Sequence, residues 1–261
     1  MIKAPPHAPT IENPQGAAPL LLVCDHASNF IPPAYDRLGL ADPVLQDHVA
    51  WDIGALGLAR RLSFALDAPL IAASASRLLI DPNRAYDAPD LVPSHAEDLP
   101  IPGNADLDGA ELERRIAAFH NPFHAAIDAL LARRGDVAAV ISLHSFTPVL
   151  HGSGRPWNVG VLHDDDTRLA EPLFAALAAN RELTVGRNQP YAPADGVYYT
   201  LQRHAGPRAK VMIEVRNDQL REEEGQDRWS GILAGALKQS LSAIAGTNAR
   251  TSQKEDVSQS G

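Results

Sequence analysis

Ala138-Ala139-Val140-Ile141-Ser142-Leu143-His144-Ser145 is the stretch whose reading decides the fold. Its first part is apolar on both faces rather than alternating, which is how a strand covered by helices on both sides reads. It then ends abruptly in a histidine and a serine. Leu20-Leu21-Leu22-Val23-Cys24 has the same character and ends in Asp25-His26, and Val211-Met212-Ile213-Glu214-Val215 is a third such run. Further short strands are expected at Pro69 to Ala73, at Leu78 to Ile80 (stopped by Asp81-Pro82) and at Asn158 to Leu162.

Between these runs lie stretches with apolar residues at helical spacing. Helices are expected over Ala50 to Leu66, Leu112 to Arg134 (interrupted by Pro122), Thr167 to Asn180 and Trp229 to Ala245. Alternating strands and helices predict a single α/β domain with a mixed, mostly parallel central sheet flanked by helices. Residues 1–18, with Pro5, Pro6, Pro9 and Pro14, read as a loose arm. Residues 19–246 form the domain, and the polar residues 247–261 read as a disordered tail.

The 261 residues suffice for a core without disulfides or structural metals. A net charge of −9 lacks the basic field that phosphate backbones require, which argues against nucleic acid as a partner. The first residues have neither the charge nor the apolar run of a signal peptide or a membrane anchor. Cys24 is the single cysteine, so no intramolecular disulfide can form, and a reducing, cytoplasmic setting is expected. No phosphate loop, dinucleotide fingerprint or Gly-x-Ser-x-Gly elbow occurs.

Sheets of this kind place their chemistry at the carboxyl ends of the strands. There the chain carries Asp25 and His26, then Asp81, Asn83 and Arg84, then Ser142, His144 and Ser145, and finally Glu214 and Arg216. Two neutral imidazoles at one sheet edge can hold zinc with a carboxylate or amide oxygen as the third ligand, leaving a position open for water. A nearby glutamate can take that water's proton, and an arginine fork can grip a carboxylate or a developing oxyanion.

Seven segments in order carry a resemblance over roughly Leu20 to Leu237. They are Asp25-His26-Ala27-Ser28-Asn29 with Ile31-Pro32, Trp51-Asp52-Ile53-Gly54, Ser76-Arg77-Leu78 with Asp81-Pro82-Asn83-Arg84, and His120-Asn121-Pro122-Phe123-His124. Ser142-Leu143-His144-Ser145, Asn188-Gln189-Pro190-Tyr191 and Ile213-Glu214-Val215-Arg216 complete the series. The chain resembles the N-formylglutamate amidohydrolase family, itself similar in fold and site to zinc carboxypeptidases and aspartoacylases.

That resemblance implies a zinc-carboxypeptidase-like (phosphorylase/hydrolase-like) fold and a zinc ion, or another divalent metal, held by His26 and His144. The third ligand is Asn29, which stands where the carboxypeptidase pattern has glutamate, or Asp52 in the adjacent matching segment. The resemblance further implies Glu214 as general base, Arg77 as the group that polarises the carbonyl, and Asn83 with Arg84 as the grip on the substrate carboxylate. Arg216, His124 and Ser145 are expected around the same substrate. The implied partner is a small N-acyl amino acid such as N-formyl-L-glutamate. Two alternatives keep the site: hydrolysis of another N-acyl amino acid or a short peptide, and non-catalytic binding of small carboxylates.

Several residues also have plainer explanations. Glu214, set in an apolar strand, is costly unless it works or pairs with Arg216 or Arg84. Arg84 can close a turn through Asp81. His120 and His124, four apart, share one helix face and could themselves bind a metal, but with Pro122 between them they are expected to border the pocket or stack in the core. Gly196-Val197-Tyr198-Tyr199 follows a turn-rich stretch and reads as a flap that can bring a tyrosine over the substrate. Cys24 reads as a small core residue.

Overall fold

The structure, a computed structural model, describes residues 7–258. Its centre is a seven-stranded sheet built from β1 (Thr10–Glu12), β2 (Leu20–Cys24), β3 (Leu70–Ala72), β4 (Ala139–Phe146), β5 (Val159–Leu162), β6 (Val185–Arg187) and β7 (Ala209–Arg216). The spatial order is β1-β3-β2-β4-β7-β5-β6. The β3/β2, β2/β4, β4/β7 and β5/β6 pairings are parallel, whereas β1/β3 and β7/β5 are antiparallel. The sheet is therefore mixed and mostly parallel, as its uninterrupted apolar runs imply.

Both faces are covered. Leu20, Leu22 and Cys24 of β2, with Ile141 and Leu143 of β4, pack toward helix α1 (Ala55–Leu66), helix α4 (Ala170–Ala178) and helix α6 (Glu223–Ser258). Leu21, Val23 and Val140 point the other way, toward Phe123 and Ile127 of helix α3 (Asn121–Arg133) and Leu201 of helix α5 (Tyr199–His204). The two-residue period of the strands sorts neighbouring side chains to opposite faces. On the second face the same period places Ser142 and His144 of β4 beside Met212 and Glu214 of β7, in register. The parallel strands β2, β4 and β7 bring their carboxyl ends to one edge.

Four local expectations change. Leu78 to Ile80 is not a strand: Ser76 starts a turn, its Oγ accepting from Leu78 N at 3.2 Å and its carbonyl from Leu79 N at 3.0 Å. The three apolar side chains are buried in a separate cluster with Leu38, Ile101 and Phe119. A short apolar run does not by itself distinguish a strand from a buried turn.

Pro122 does not interrupt the helical stretch either. Helix α2 (Gly109–Arg115) passes through a π turn (Ile116–His120) into α3, and Asn121 N bonds back to Ile116 O. The wider turn absorbs a proline that has no N–H to offer.

Within the stretch expected to be loose, Thr10–Glu12 forms an edge strand on β3. The closing helix extends past Thr247, through residues without proline, as far as Ser258. Residues 1–6 of the arm and 259–261 of the tail lie outside the described residues. Among the described residues, no helix is long and apolar enough to cross a membrane.

Candidate active site

Three buried side chains meet at the carboxyl edge of the sheet. His26 lies just past β2, His144 sits near the end of β4, and Asp52 precedes α1. One ligand atom from each lies within 4.8 Å of the other two. Asp52 is delivered by backbone contact: its N–H donates to His26 O at 3.0 Å, and its own carbonyl accepts from Ala55 N at 3.1 Å. Gly54, at φ +79°, turns the chain into α1, a conformation that suits glycine.

The two imidazoles, set edge to face at 76°, turn the same nitrogen toward Asp52. His144 Nδ1 is 2.8 Å from Asp52 Oδ2, and His26 Nδ1 is 3.4 Å from Asp52 Oδ1. Their Nε2 atoms face outward to other carboxylates, His26 to Asp81 Oδ1 at 2.8 Å and His144 to Asp25 Oδ2 at 3.0 Å. Each Nε2–H thus donates to a carboxylate while both Nδ1 atoms converge on Asp52. That is the arrangement of metal-binding histidines, in which a partner on the far nitrogen sets ring orientation. His26 Nδ1 is buried without a hydrogen-bond partner. The donor set of two imidazoles and a carboxylate suits zinc or a similar divalent ion. His26, Asp52 and His144 form a candidate site for a divalent metal.

The supporting carboxylates are themselves held. Asp25 accepts from Ser142 Oγ at 2.6 Å and from Thr200 Oγ1. Burial pushes its pKa up, but the bond and charge of His144 outweigh this and bring it down to about 2. Asp81 accepts from Asn83 N at 2.8 Å and faces Arg77 Nη2 at 3.4 Å. For His144 burial works against the charged form, yet its bonds to Asp25 and Asp52 raise its pKa well above the ordinary value.

Glu214 is the remaining acid. It is buried, its Oε2 has no hydrogen-bond partner, and it lies in register with His144. Neither Arg216 nor Arg84 pairs with it among the described residues. Burial pushes its pKa to about 7 against the opposing charge of His144. A carboxyl poised near neutrality beside a metal site has the properties of a general base.

A cavity of about 140 Å³ is lined by His26, Asp52, Arg77, Asn83, Arg84, His144, Ser145, Tyr191 and Glu214. Arg77 reaches it half-buried, 3.6 Å from Asp52 Oδ1. Arg84 also lines it while its Nε donates to Asp90 at 2.6 Å and its Nη1 lies 3.8 Å from Asp81. It both closes the turn and faces the pocket. Asn83 is in the wall, but its polar atoms are committed: Nδ2 donates to Val197 O, and Oδ1 accepts from Thr200 N at 3.0 Å. Ser145 is placed similarly, with its hydroxyl donating to Ile53 O at 2.9 Å and its N–H to Asp52 at 3.2 Å.

Three expected site residues lie elsewhere. Asn29 is absent from the metal group, and its amide donates to Leu45 O at 2.8 Å. Arg216 turns away to Asp218 at 2.9 Å, captured by an acid two residues on. His124 lies beneath the pocket wall, bonded to Pro82 O and His204. The expected tyrosine flap is also absent: Tyr198 is fully buried, with its hydroxyl 3.3 Å from Leu162 O, and Tyr199 accepts from Arg203.

The tyrosine in the cavity is Tyr191, whose ring packs under Arg155 and whose hydroxyl accepts from Arg155 Nη1 at 3.0 Å. Gly160 admits this loop, since a Cβ there would sit 1.9 Å from Gln189 O. Asp25 and Asp81 were visible in the sequence as strand-end acids, but nothing in their spacing marks them as partners of the two histidines.

Comparison with known proteins agrees with this geometry. A model of the N-formylglutamate amidohydrolase family matches residues 18–221. The crystal structure of gene product Atu2144 from Agrobacterium tumefaciens is 43% identical and superposes with a TM-score of 0.88, over 92% of this chain and 96% of that one. An N-formylglutamate amidohydrolase from Ralstonia eutropha JMP134 is 24% identical, with a TM-score of 0.66 over 92% and 99% of the two chains, a likeness of fold. No curated protein sequence matches the chain.

Proposed function

Because the chain belongs to the N-formylglutamate amidohydrolase family, we propose that its metal-dependent amidohydrolase site cleaves N-formyl-L-glutamate or a close acidic N-acyl amino acid. The observation that carries this reading is the buried His26–Asp52–His144 group with the unpartnered carboxyl of Glu214 beside it in one cavity. His26, Asp52 and His144 would hold a zinc ion, which would supply Lewis acidity and a water of lowered pKa.

Glu214 takes the proton of the attacking water as its oxygen bonds to the acyl carbon. Arg77 donates to the carbonyl oxygen as that atom becomes an oxyanion. Glu214 then returns the proton to the amide nitrogen, the C–N bond breaks, and formate and the free amino acid leave. Arg84 holds the substrate carboxylate at the outer wall. Asn83 holds that wall by fastening the segment from Val197 to Thr200.

One observation favours a second, larger substrate class. An outer cavity of about 350 Å³ shares His48, Arg77, Arg84 and Tyr191 with the inner one. This leaves room for a longer acyl group or a second residue. Formate release from N-formyl-L-glutamate by zinc-loaded protein, lost on chelation and regained with zinc, tests the first reading. Faster turnover of N-acetyl amino acids or dipeptides in the same assay would replace it with the second. The single cysteine, buried Cys24, supports a cytoplasmic location for this activity.

A further inference from the structure

Beneath the Asp81–Arg84 turn lie three buried histidines that the hydrolytic chemistry leaves unused. His120 Nε2 is 3.0 Å from Arg84 O, and His124 Nε2 is 3.0 Å from Pro82 O. His124 Nδ1 is 2.7 Å from His204 Nε2, and His204 Nδ1 is 2.7 Å from Asp128 Oδ1. The line Pro82–His124–His204–Asp128 thus contains three hydrogen bonds. At one end stands a carbonyl and at the other a carboxylate, and both only accept. Every hydrogen in the line must come from the two rings. Three bonds need three ring hydrogens, whereas two neutral imidazoles carry two. The line is complete only when the pair holds one additional proton.

We propose that the His124–His204 pair holds one additional proton and that both act as positioning residues: with the proton present an unbroken line from Asp128 fixes His124 beneath the Pro82 carbonyl and the pocket wall behind it, and without it one bond of that line is lost and His124 is held less firmly. The wall carries Asp81, which orients His26, and Arg84, which faces the substrate. The proposal rests on the functional reading above only for what that wall binds.

The proton's place follows from the surroundings. His124 is held down to about 2 by burial and then by the charges of His120 and His204, so it stays neutral and donates from Nε2. The additional proton therefore belongs to His204. Burial lowers the pKa of that ring, and Asp128 of α3 counters through its bond and charge. Arg203, its neighbour on α5, opposes the proton, and Asp25 past β2 favours it. His120, which ends the π turn, lies tilted against His124, and Tyr199 packs against both rings. Because the net shift is downward, the proton leaves below pH 6.5 as pH rises. The line that braces the wall through His124 is then one hydrogen bond short, between His124 and His204 or between His204 and Asp128.

The test counts ring protons by ¹⁵N NMR of the zinc-loaded chain between pH 5 and 8, with KM for N-formyl-L-glutamate measured at the same points. The expected result is one step from three ring protons to two, with KM rising about 2- to 10-fold across it, the size of one hydrogen bond. In D128N the step and the KM rise both move to lower pH, while kcat keeps its wild-type value. Asp128 is 64% exposed, so the variant disturbs no core packing. Two ring protons at every pH, or three at every pH, overturn the proposal. So does a KM that ignores the step, or a step that D128N leaves in place. If N-formyl-L-glutamate is not hydrolysed at all, the substrate assignment fails, and the ring count alone decides the proton.

Discussion

Glu214 stands opposite His144 in the parallel register of β4 and β7, on one face of the sheet, and its Oε2 has no hydrogen-bond partner. A buried acid is costly to keep unless its ionisation is useful. Here the neighbouring histidine and Asp52 belong to the candidate metal group, and Glu214 lines the same cavity. E214Q keeps shape and volume but can neither take nor return a proton. Steady-state kinetics should show kcat falling about 10²- to 10⁴-fold, while zinc content, measured by elemental analysis, stays at the wild-type level. Near-normal turnover would remove Glu214 from proton transfer.

Asp25 and Asp81 are the carboxylates behind the two histidines, at 3.0 Å and 2.8 Å from the outward nitrogens. Replacing either with asparagine removes the charge that orients a ring without touching an atom facing the ion. Competition with a coloured chelator should find zinc affinity lower by about 10- to 100-fold in D25N and in D81N. D52N, which alters a ligand atom, should lose more than either. An unchanged affinity in both supporting variants would mean that the rings are oriented by packing alone.

Arg77 and Arg84 occupy the same cavity with different surroundings. Arg77 approaches Asp52 at 3.6 Å and so lies against the metal group, whereas Arg84 is tied outward to Asp90 at 2.6 Å. R77A should therefore lower kcat by about 10²- to 10³-fold, the usual loss when an oxyanion donor is removed. R84A should chiefly raise KM for carboxylate-bearing substrates. The reverse pattern would exchange the two roles.

How much of this was legible follows from which forces act locally. The runs of β2, β4 and β7 announce buried strands, and their polar ends mark the active edge, because chain sequence alone sets apolar periodicity. Leu78 to Ile80 looked the same yet folded as a turn, since Ser76 supplies bonds that a short apolar run cannot reveal. Among ligands, Asn29 and Asp52 were rivals that spacing could not separate. The choice depends on where α1 begins relative to His26, a tertiary matter. Arg216 and His124 were misplaced for a related reason. Asp218 captures the first, and the Pro82 carbonyl and His204 capture the second, and those partners become neighbours only in the folded chain.

Asn29 gives a sharp test of the metal group because its amide is already used. Its Nδ2 donates to Leu45 O at 2.8 Å, bracing the loop after β2. N29A should retain zinc at wild-type stoichiometry and lose about 0.5–1.5 kcal/mol of stability, the usual worth of one hydrogen bond. Paired zinc titration and urea unfolding would show both. Loss of zinc from a folded N29A protein would restore the amide as a ligand.

The elevated pKa of Glu214 also makes metal-free stability depend on pH in a definite direction. Burial, its largest cause, raises the folded value to about 7 from an ordinary value near 4.5. Between those two values the folded chain keeps a proton that the unfolded chain gives up. The stabilisation is therefore complete below about pH 4.5 and is lost as pH rises through about 7. At pH 8 the wild-type chain must bury a charge that E214Q does not carry. Urea unfolding of metal-free protein should find E214Q gaining on wild type as pH moves from 5 to 8, by on the order of 3 kcal/mol for a shift of this size. A stability difference that stays flat over that range would mean that the Glu214 carboxyl is solvated and ionises as an ordinary surface acid.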